Sequence, residues 1–407
     1  MKSSALLLVL LIGAPAFADL ASLDPHPREL NSRNVETTAG DEYGLAQHEE
    51  APSLLLGKAG EKLRLGGYIK VDTMYDFRPA GDPDRFIVNT IPTSGDTTGG
   101  SAEVSAHSSR INLDLLVPSS EGQVRFHFDN DFFGQNGATD IRVRQIYGAI
   151  GTLVMGYGWS ALYDAKTEAD VLDAGKASGT VDTRQASIRF GNRWKGPAST
   201  DGVHFAIEHP ETQAQVGTET PISPAPDLIL AWRHEAAWGH FRPAVVLRRL
   251  GIISSTAVRD VTQGWGTRLT GSFHWQLDSL AYEVFYGHGI GRYIRDMDGT
   301  NSDAALGADG TLEALPALGT VLTLQHHWTD VFRSNLTGSL SHLSNSAGQA
   351  GNAYHEGRYI SGNAIHKIGK FSEIGLELIY GRLQLKDGSE GHSERLQLSV
   401  RLDFAPL

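Results

Sequence analysis

Between residues 63 and 404 the chain alternates apolar and polar side chains with a period of two, run after run, and this restricts it to β-structure. Successive side chains of a strand point to opposite faces, so each run has one apolar and one polar face. Leu65, Ile69, Val71, Thr73 and Tyr75 oppose Arg64, Tyr68, Lys70, Asp72 and Asp76. Ile111, Leu113, Leu115 and Val117 oppose Arg110, Asn112 and Asp114. Leu396, Leu398, Val400, Leu402 and Phe404 oppose Arg395, Gln397, Ser399, Arg401 and Asp403. The pattern gives 16 strands; 18 is the alternative, because residues 201–227 and 301–320 could each hold a further hairpin.

No run of about 18 apolar residues follows the first turns of the chain, so there is no candidate transmembrane helix. Short connections near Pro118, Gly151, Ala237, Ser279, Thr329 and Gly369 alternate with long polar ones. A membrane barrel has this asymmetry, with short periplasmic turns and long outer loops. A propeller needs an internal repeat, and none is visible. The expected fold is therefore all-β, a 16-stranded antiparallel transmembrane β-barrel in the bacterial outer membrane. A soluble periplasmic β-protein is the rival, since its strands would also alternate.

Residues 1–18 read as a secretory signal peptide, with Lys2, an apolar stretch from Ala5 to Ile12, and Ala16-Phe17-Ala18 for cleavage. Residues 19–60 read as a periplasmic tail, largely disordered, with a short helix near Leu54; residues 61–407 form the barrel. Cysteine is absent, which removes disulfides and thiolate metal sites. A net charge of −12 argues against nucleic acid as a partner.

Residues 141–190 depart from the simple meander. Ile141, Val143, Tyr147 and Ala149 are expected on one face, Arg142 and Arg144 on the other. A turn at Gly151 leads to a short strand at 153–157, then to a polar segment at 159–182 carrying Asp164, Glu168, Asp170 and Asp173. Alternation resumes at 184–190. Two strands, a long acidic segment and another strand suggest one loop folded into the lumen. Arg110, Arg125, Arg142, Arg144, Arg184 and Arg189 fall on the faces assigned to that lumen. A guanidinium stays charged and binds carboxylates bidentately, so the row favours small anionic solutes over cations. The four acids would face the arginines across a constriction and impose a transverse field. Two plainer readings stand beside this one: the arginines only tether the loop, or the acidic segment is a solvated outer loop.

Several segments carry a family resemblance. They are 67–77 (Gly67-Tyr68-Ile69-Lys70-Val71-Asp72 and onward), His107-Ser108-Ser109-Arg110-Ile111-Asn112, and 126–134 around Asp129-Asn130-Asp131-Phe132-Phe133-Gly134. Residues 141–148, Gly156-Tyr157-Gly158-Trp159-Ser160 and Asp182-Thr183-Arg184-Gln185 add to it. In these segments the chain resembles the DcaP-like outer-membrane porins, closely over residues 63–190 and in pattern beyond. The resemblance implies a homotrimer of 16-stranded barrels in outer-membrane lipid, passing small, mostly anionic, carboxylate-bearing solutes. The chain departs from the family in two places. Residues 19–60 do not read as the N-terminal coiled coil that members can carry, and the chain runs Phe404-Ala405-Pro406-Leu407 where many barrels end on an aromatic residue.

Enzyme signatures are missing, and no cofactor or metal is expected. His326 and His327 are adjacent on a strand and point to opposite faces. His234-Glu235 lacks the second histidine of a zinc motif, and there is no G-x-S-x-G elbow. Gly287-His288-Gly289-Ile290-Gly291 ends a strand with no helix behind it, which makes a poor phosphate cradle. A barrel enzyme of lipase or protease type is the second rival; the nucleophile, histidine and acid it needs at one rim cannot be assembled. The run from Asp296 to Asp303 could hold calcium, but its glycine is misplaced for an EF-hand loop, and an exposed acidic loop is the expected state.

Overall fold

In a computed structural model the described residues are 53–56, 60–95, 98–120, 122–134, 138–253 and 259–404. The expected signal peptide lies outside them, as does nearly all of the expected tail. Within these bounds the chain is a closed, 16-stranded antiparallel barrel. Its strands are β1 (Lys62–Asp76), β2 (in two segments, Ser101–Ser105 and Arg110–Ser119), β3 (Gly122–Phe133), β4 (Thr139–Ile150), β5 (Leu153–Trp159) and β6 (Arg184–Lys195). There follow β7 (Ser199–Glu208), β8 (Asp227–Ala236), β9 (Gly239–Ile253), β10 (Arg259–Trp275) and β11 (Asp278–His288). The last are β12 (Pro316–Thr329), β13 (Phe332–Leu343), β14 (Tyr354–Ile368), β15 (Ser372–Leu385) and β16 (Glu390–Asp403).

Each strand pairs with its sequence neighbours, and β16 pairs with β1 through Val71↔Val400 and Asp76↔Arg395. Closure is obligatory in lipid, where unpaired N–H and C=O groups cost several kcal/mol each. The one gap in the β1–β2 ladder, between the two segments of β2, is filled by a side chain. Lys70 N donates to Ser109 Oγ at 3.0 Å, and Ser109 Oγ donates to Lys70 O at 3.1 Å. The two ambiguous regions do not add wall strands. Ala214–Gln215, Ala304–Leu306 and Leu312–Ala314 form a separate three-stranded sheet, and Thr220–Ile222 pairs with the upper end of β9. Near Leu54 the chain is a strand, not the expected helix: Ser53–Leu55 pairs antiparallel with the start of β1.

The outer wall is apolar, with Leu65, Leu247, Leu378 and Leu402 all more than half exposed. The inward positions hold most of the buried charge, including Arg242, Arg268 and Arg395. One expected face is wrong. Tyr147 and Ala149 are buried on the inner side, while Ile141 and Val143 are exposed on the outer side. The β3–β4 register shifts between Asp129↔Gln145 and Asn130↔Val143, so Arg144 is a bulge residue. One extra residue reverses the parity of everything after it on the strand.

The interior is not uniformly polar. Three connections, residues 77–95, 160–183 and 289–315, fold inward and share an apolar cluster that includes Phe86, Leu162, Val181, Tyr293 and Ile294. That cluster packs on inner-face residues of β7–β9 and β11–β15, among them Ala206, Ile229, Val246, Phe285 and Ile379. The run from Asp296 to Asp303 is part of this packing rather than an exposed loop: Asp296 is 1% and Asp303 0% exposed. Asp303 pairs with the buried Arg248 at 2.9 Å.

Asp296 sits where the three connections meet. Its N–H donates to Ser178 O at 3.1 Å, and its carbonyl accepts from Asn89 Nδ2 at 2.7 Å. Its carboxylate accepts from Ser341 Oγ at 3.4 Å. Burial pushes this carboxyl up to about 7 against the opposing pull of Arg295, Ser341 and the Val88 N–H. A carboxyl raised by folding stabilises the folded state fully below its ordinary value, and that contribution fades as pH rises through the folded value. Residues 289–303 are therefore expected to be cut faster by a broad-specificity protease at pH 8 than at pH 5.5, after correction for protease activity. Asp296→Asn should remove the difference; equal cutting of the unsubstituted protein at both pH values contradicts this.

Candidate functional site

The inward loop at 160–183 leaves the wall because β5 is only seven residues long and ends at Trp159. Gly156, at φ 144°, lets β5 lie close to β4, where an added Cβ would come within 2.4 Å of Ile146 O. Past Trp159 the loop is gripped immediately. Ser160 Oγ and Ala161 N donate to Glu208 at 2.7 and 2.6 Å. Arg242 donates to Ala161 O at 2.5 Å, and both Arg242 and Arg268 donate to Leu162 O. Asp164, 0% exposed, then accepts from Arg233 at 2.6 Å, His240 Nε2 at 3.0 Å and Thr270 Oγ1 at 2.5 Å. Burial alone would push the Asp164 carboxyl up, but Arg233, His240 and Arg242 together hold it well below the usual carboxylate range.

The loop next crosses the lumen to the far wall. Asp170 pairs with Arg333 at 2.5 Å, and its carbonyl accepts from Asn335 and Asn363 at 3.2 and 2.8 Å. The N–H groups of Leu172 and Asp173 donate to Glu377 at 2.7 and 3.0 Å. Asp173 pairs with Arg395 at 3.0 Å and accepts from Phe86 N at 2.8 Å. Lys70 Nζ donates to Leu172 O at 2.6 Å. A buried, hydrogen-bonded charge pair is costly to break, so these contacts fix the course of the loop.

Between the loop and the wall of β1–β5, β15 and β16 lies a cavity of about 130 Å³. Its cations are Lys70, Arg110, Arg144, Lys176 and Arg401, and its acids are Asp131, Glu168, Asp170, Asp173 and Glu373. Arg142 and Arg144 both pair with Asp131 at 2.6 Å, and Arg144 lies 3.6 Å from Asp129. Trp159 and Tyr163 stack with centroids 4.4 Å apart. Three cations surround that indole: Lys176 at 4.5 Å, Arg184 at 4.9 Å and Arg144 at 5.5 Å from its centroid.

Of the residues singled out from sequence, Arg110, Arg144, Glu168, Asp170 and Asp173 border this cavity, with Arg142 beside them on Asp131. Arg184 packs behind on Trp159. Arg125 pairs with Asp114 at 2.6 Å nearer the short-turn end, and Arg189 donates to Ser187 Oγ at 3.1 Å; neither borders the cavity. Asp164 does not face the expected arginines at all, because Arg233 and His240 of the opposite wall take it. Asp170 and Asp173 border the cavity but are likewise bound to Arg333 and Arg395. Lys70, Lys176, Arg401 and these wall arginines are site residues that the sequence alone does not single out. The inward parity of Lys70, Arg233, Arg395 and Arg401 was the available signal; Lys176 sits in no alternating run and had none.

Residues 56–404 match the family model described as DcaP outer membrane protein. A search of curated proteins finds no match. Among solved structures the chain is similar to the outer membrane channel DcaP of Acinetobacter baumannii, at TM-score 0.75 and 18% identity over 86% of this chain and 99% of that one. It is also similar to an anion-selective porin from Comamonas acidovorans, at TM-score 0.57 and 12% identity over 84% of this chain and 100% of that one. A trimer form of OmpT of Vibrio cholerae aligns at TM-score 0.52 and 10% identity over 84% of this chain and 99% of that one.

Replacing Asp164 with Asn leaves Arg233 buried without its carboxylate, at a cost of about 3–5 kcal/mol. Single-channel recordings of D164N in a planar bilayer should show flicker or a changed conductance as the loop loosens. A recording indistinguishable from the unsubstituted channel contradicts the anchoring role.

Proposed function

This chain belongs to the DcaP outer membrane protein family, and from that premise we propose that it is a trimeric, anion-preferring porin. It passes small carboxylate-bearing solutes by passive diffusion and catalyses no reaction. One observation carries the anion preference. Every acid bordering the cavity is held by a cation, Asp131 by Arg142 and Arg144, Glu168 by Lys176, Asp170 and Glu373 by Arg333 and Asp173 by Arg395, and Lys70, Arg110 and Arg401 border the same cavity. The acids that might have drawn cations are each held in an ion pair. Cations along a narrow aqueous passage lower the barrier to anions. The anion-selective relative from Comamonas acidovorans is in keeping with this reading.

The trimer has its own support. At seven residues, β5 is shorter than the roughly 9–11 residues a tilted membrane strand needs. The outer face beside it holds an apolar groove of about 470 Å³ lined by Leu63, Leu113, Phe126, Ile146, Gly148 and Met155. Trp194, Trp238, Trp275 and Trp328 are exposed at the short-turn ends of β6, β8–β9, β10 and β12. Such interfacial aromatics mark wall that meets lipid headgroups, and the corresponding ends of β2–β5, where Tyr147 is buried on the inner side, carry no outward-facing tryptophan or tyrosine. A wall too low to span lipid, dented and without headgroup anchors suits contact with a second copy. The trimer form of OmpT from Vibrio cholerae offers a parallel in the same fold.

Arg142→Ala with Arg144→Ala removes two guanidiniums and leaves Asp131 uncompensated. The zero-current potential of the double variant in a salt gradient should shift toward cation preference; an unchanged potential removes both residues from the mechanism. Gly148→Phe fills the outer groove. It should release folded monomers, visible on a semi-native gel as a heat-modifiable monomer band, while a fully trimeric G148F would place the interface elsewhere.

A further inference from the structure

Lys176 has a backbone that ordinarily belongs to glycine. Its φ is 65°, and among the described residues only Gln276 and Asn301 share a positive φ without being glycine. Gln276 lies in the tight turn between β10 and β11, and asparagine tolerates this region better than most residues. Lys176 follows the turn at Ala174 and Gly175 and, unlike the other two, borders the lumen cavity, on the loop at 160–183. Backbone held in a disfavoured region at an internal site points to a demand on the side chain.

The side chain shows what that demand is. Lys176 Nζ lies 2.6 Å from Glu168 and 3.1 Å from Asp182. It also lies over the stacked rings of Trp159 and Tyr163, at 4.5 and 5.3 Å from their centroids. Lys176 and Glu168 both border the cavity, and Lys176 is the one cation the loop contributes there among the described residues. The loop's other lysine, Lys166, pairs elsewhere, with Glu235 at 2.5 Å. Arg144 approaches the same indole from the strand side, at 5.5 Å. Without the ammonium, the loop side of the passage would present Glu168 uncompensated, with Asp182 behind it sharing Arg295 at 3.1 Å.

We infer that Lys176 is the loop-side selectivity residue: it neutralises Glu168 and Asp182 and supplies the loop's cation to the cavity that Arg110 and Arg144 border from the wall, so that a passing anion meets positive charge from loop and wall alike. This deepens the anion-preferring reading and rests on it. The trapped ammonium explains why a lysine is held where glycine would sit without strain.

Glycine is itself the cleanest test, because it relieves the backbone while removing the charge. The anion-to-cation permeability ratio from zero-current potentials in a KCl gradient is expected to fall roughly thirtyfold in K176G. One charge acting at about 4 Å in water carries a roughly fivefold Boltzmann weight, and anion and cation feel it with opposite sign, so the weight enters the ratio squared. K176Q, which keeps the native backbone and most of the side chain, should fall similarly and stands in if K176G does not fold. K176R should stay close to the unsubstituted channel. An unchanged ratio in K176G or K176Q, or an equal fall in K176R, overturns the assignment. The unsubstituted channel is judged separately. If it shows no anion preference, the proposed function fails, whereas Lys176 stands or falls on the difference between its variants and that channel.

Discussion

The structure depends on where the negative charge of one loop is spent. A carboxylate inside a barrel is expensive unless a cation and hydrogen bonds receive it. Asp164, Asp170 and Asp173 are received by Arg233 and His240, by Arg333 and by Arg395, on strands far along the chain from the loop. Those pairings draw the loop across the lumen and press its apolar residues onto the inner faces of β7–β9 and β11–β15. What remains open lies against β1–β5, β15 and β16, where the bordering side chains include Lys70, Arg110, Arg144 and Arg401 together with Asp131 and Glu373.

The barrel itself follows from two simple constraints. Lipid outside and water inside sort side chains by strand parity, and the absence of water in the hydrocarbon layer forces the sheet to close. Neither constraint makes a passage narrow. Narrowing comes from the apolar cluster shared by residues 77–95, 160–183 and 289–315, a small hydrophobic core built inside a polar tube. Its members, such as Phe86, Leu162 and Ile294, come from segments whose sequence looks like surface loop. Arg295, pairing with Asp182 at 3.1 Å, ties the third of these segments to the second.

Much of this was legible in the sequence, and the misses have definite causes. The strand count, the inward loop and the orientation of β1, β2 and β16 follow from period-two alternation, because membrane and lumen impose the same parity along a whole strand. The inner burial of Tyr147 and Ala149 was not legible, since a one-residue bulge at Arg144 leaves no compositional mark. The acids of the loop stand out in the sequence, but the arginines it places beside them are those nearby along the chain. Their actual partners lie across the barrel, and alternation shows that Arg233 and Arg395 point inward without saying what they meet. Asp296 and Asp303 looked like exposed loop acids because burial of a charge depends on partners such as Arg248, which only the fold brings close.

The central claim is that ion pairing neutralises the acids of the loop, Asp164, Asp170 and Asp173 through wall arginines and Glu168 through Lys176, and leaves a passage governed by cations. The zero-current potential of the unsubstituted channel, reconstituted in a planar bilayer under a tenfold KCl gradient, tests it most directly. The claim requires the sign of potential produced by chloride moving faster than potassium, growing larger as ionic strength is lowered and screening weakens. A potential of the opposite sign, or none, would mean that the lumen acids still govern the passage, and would contradict the account.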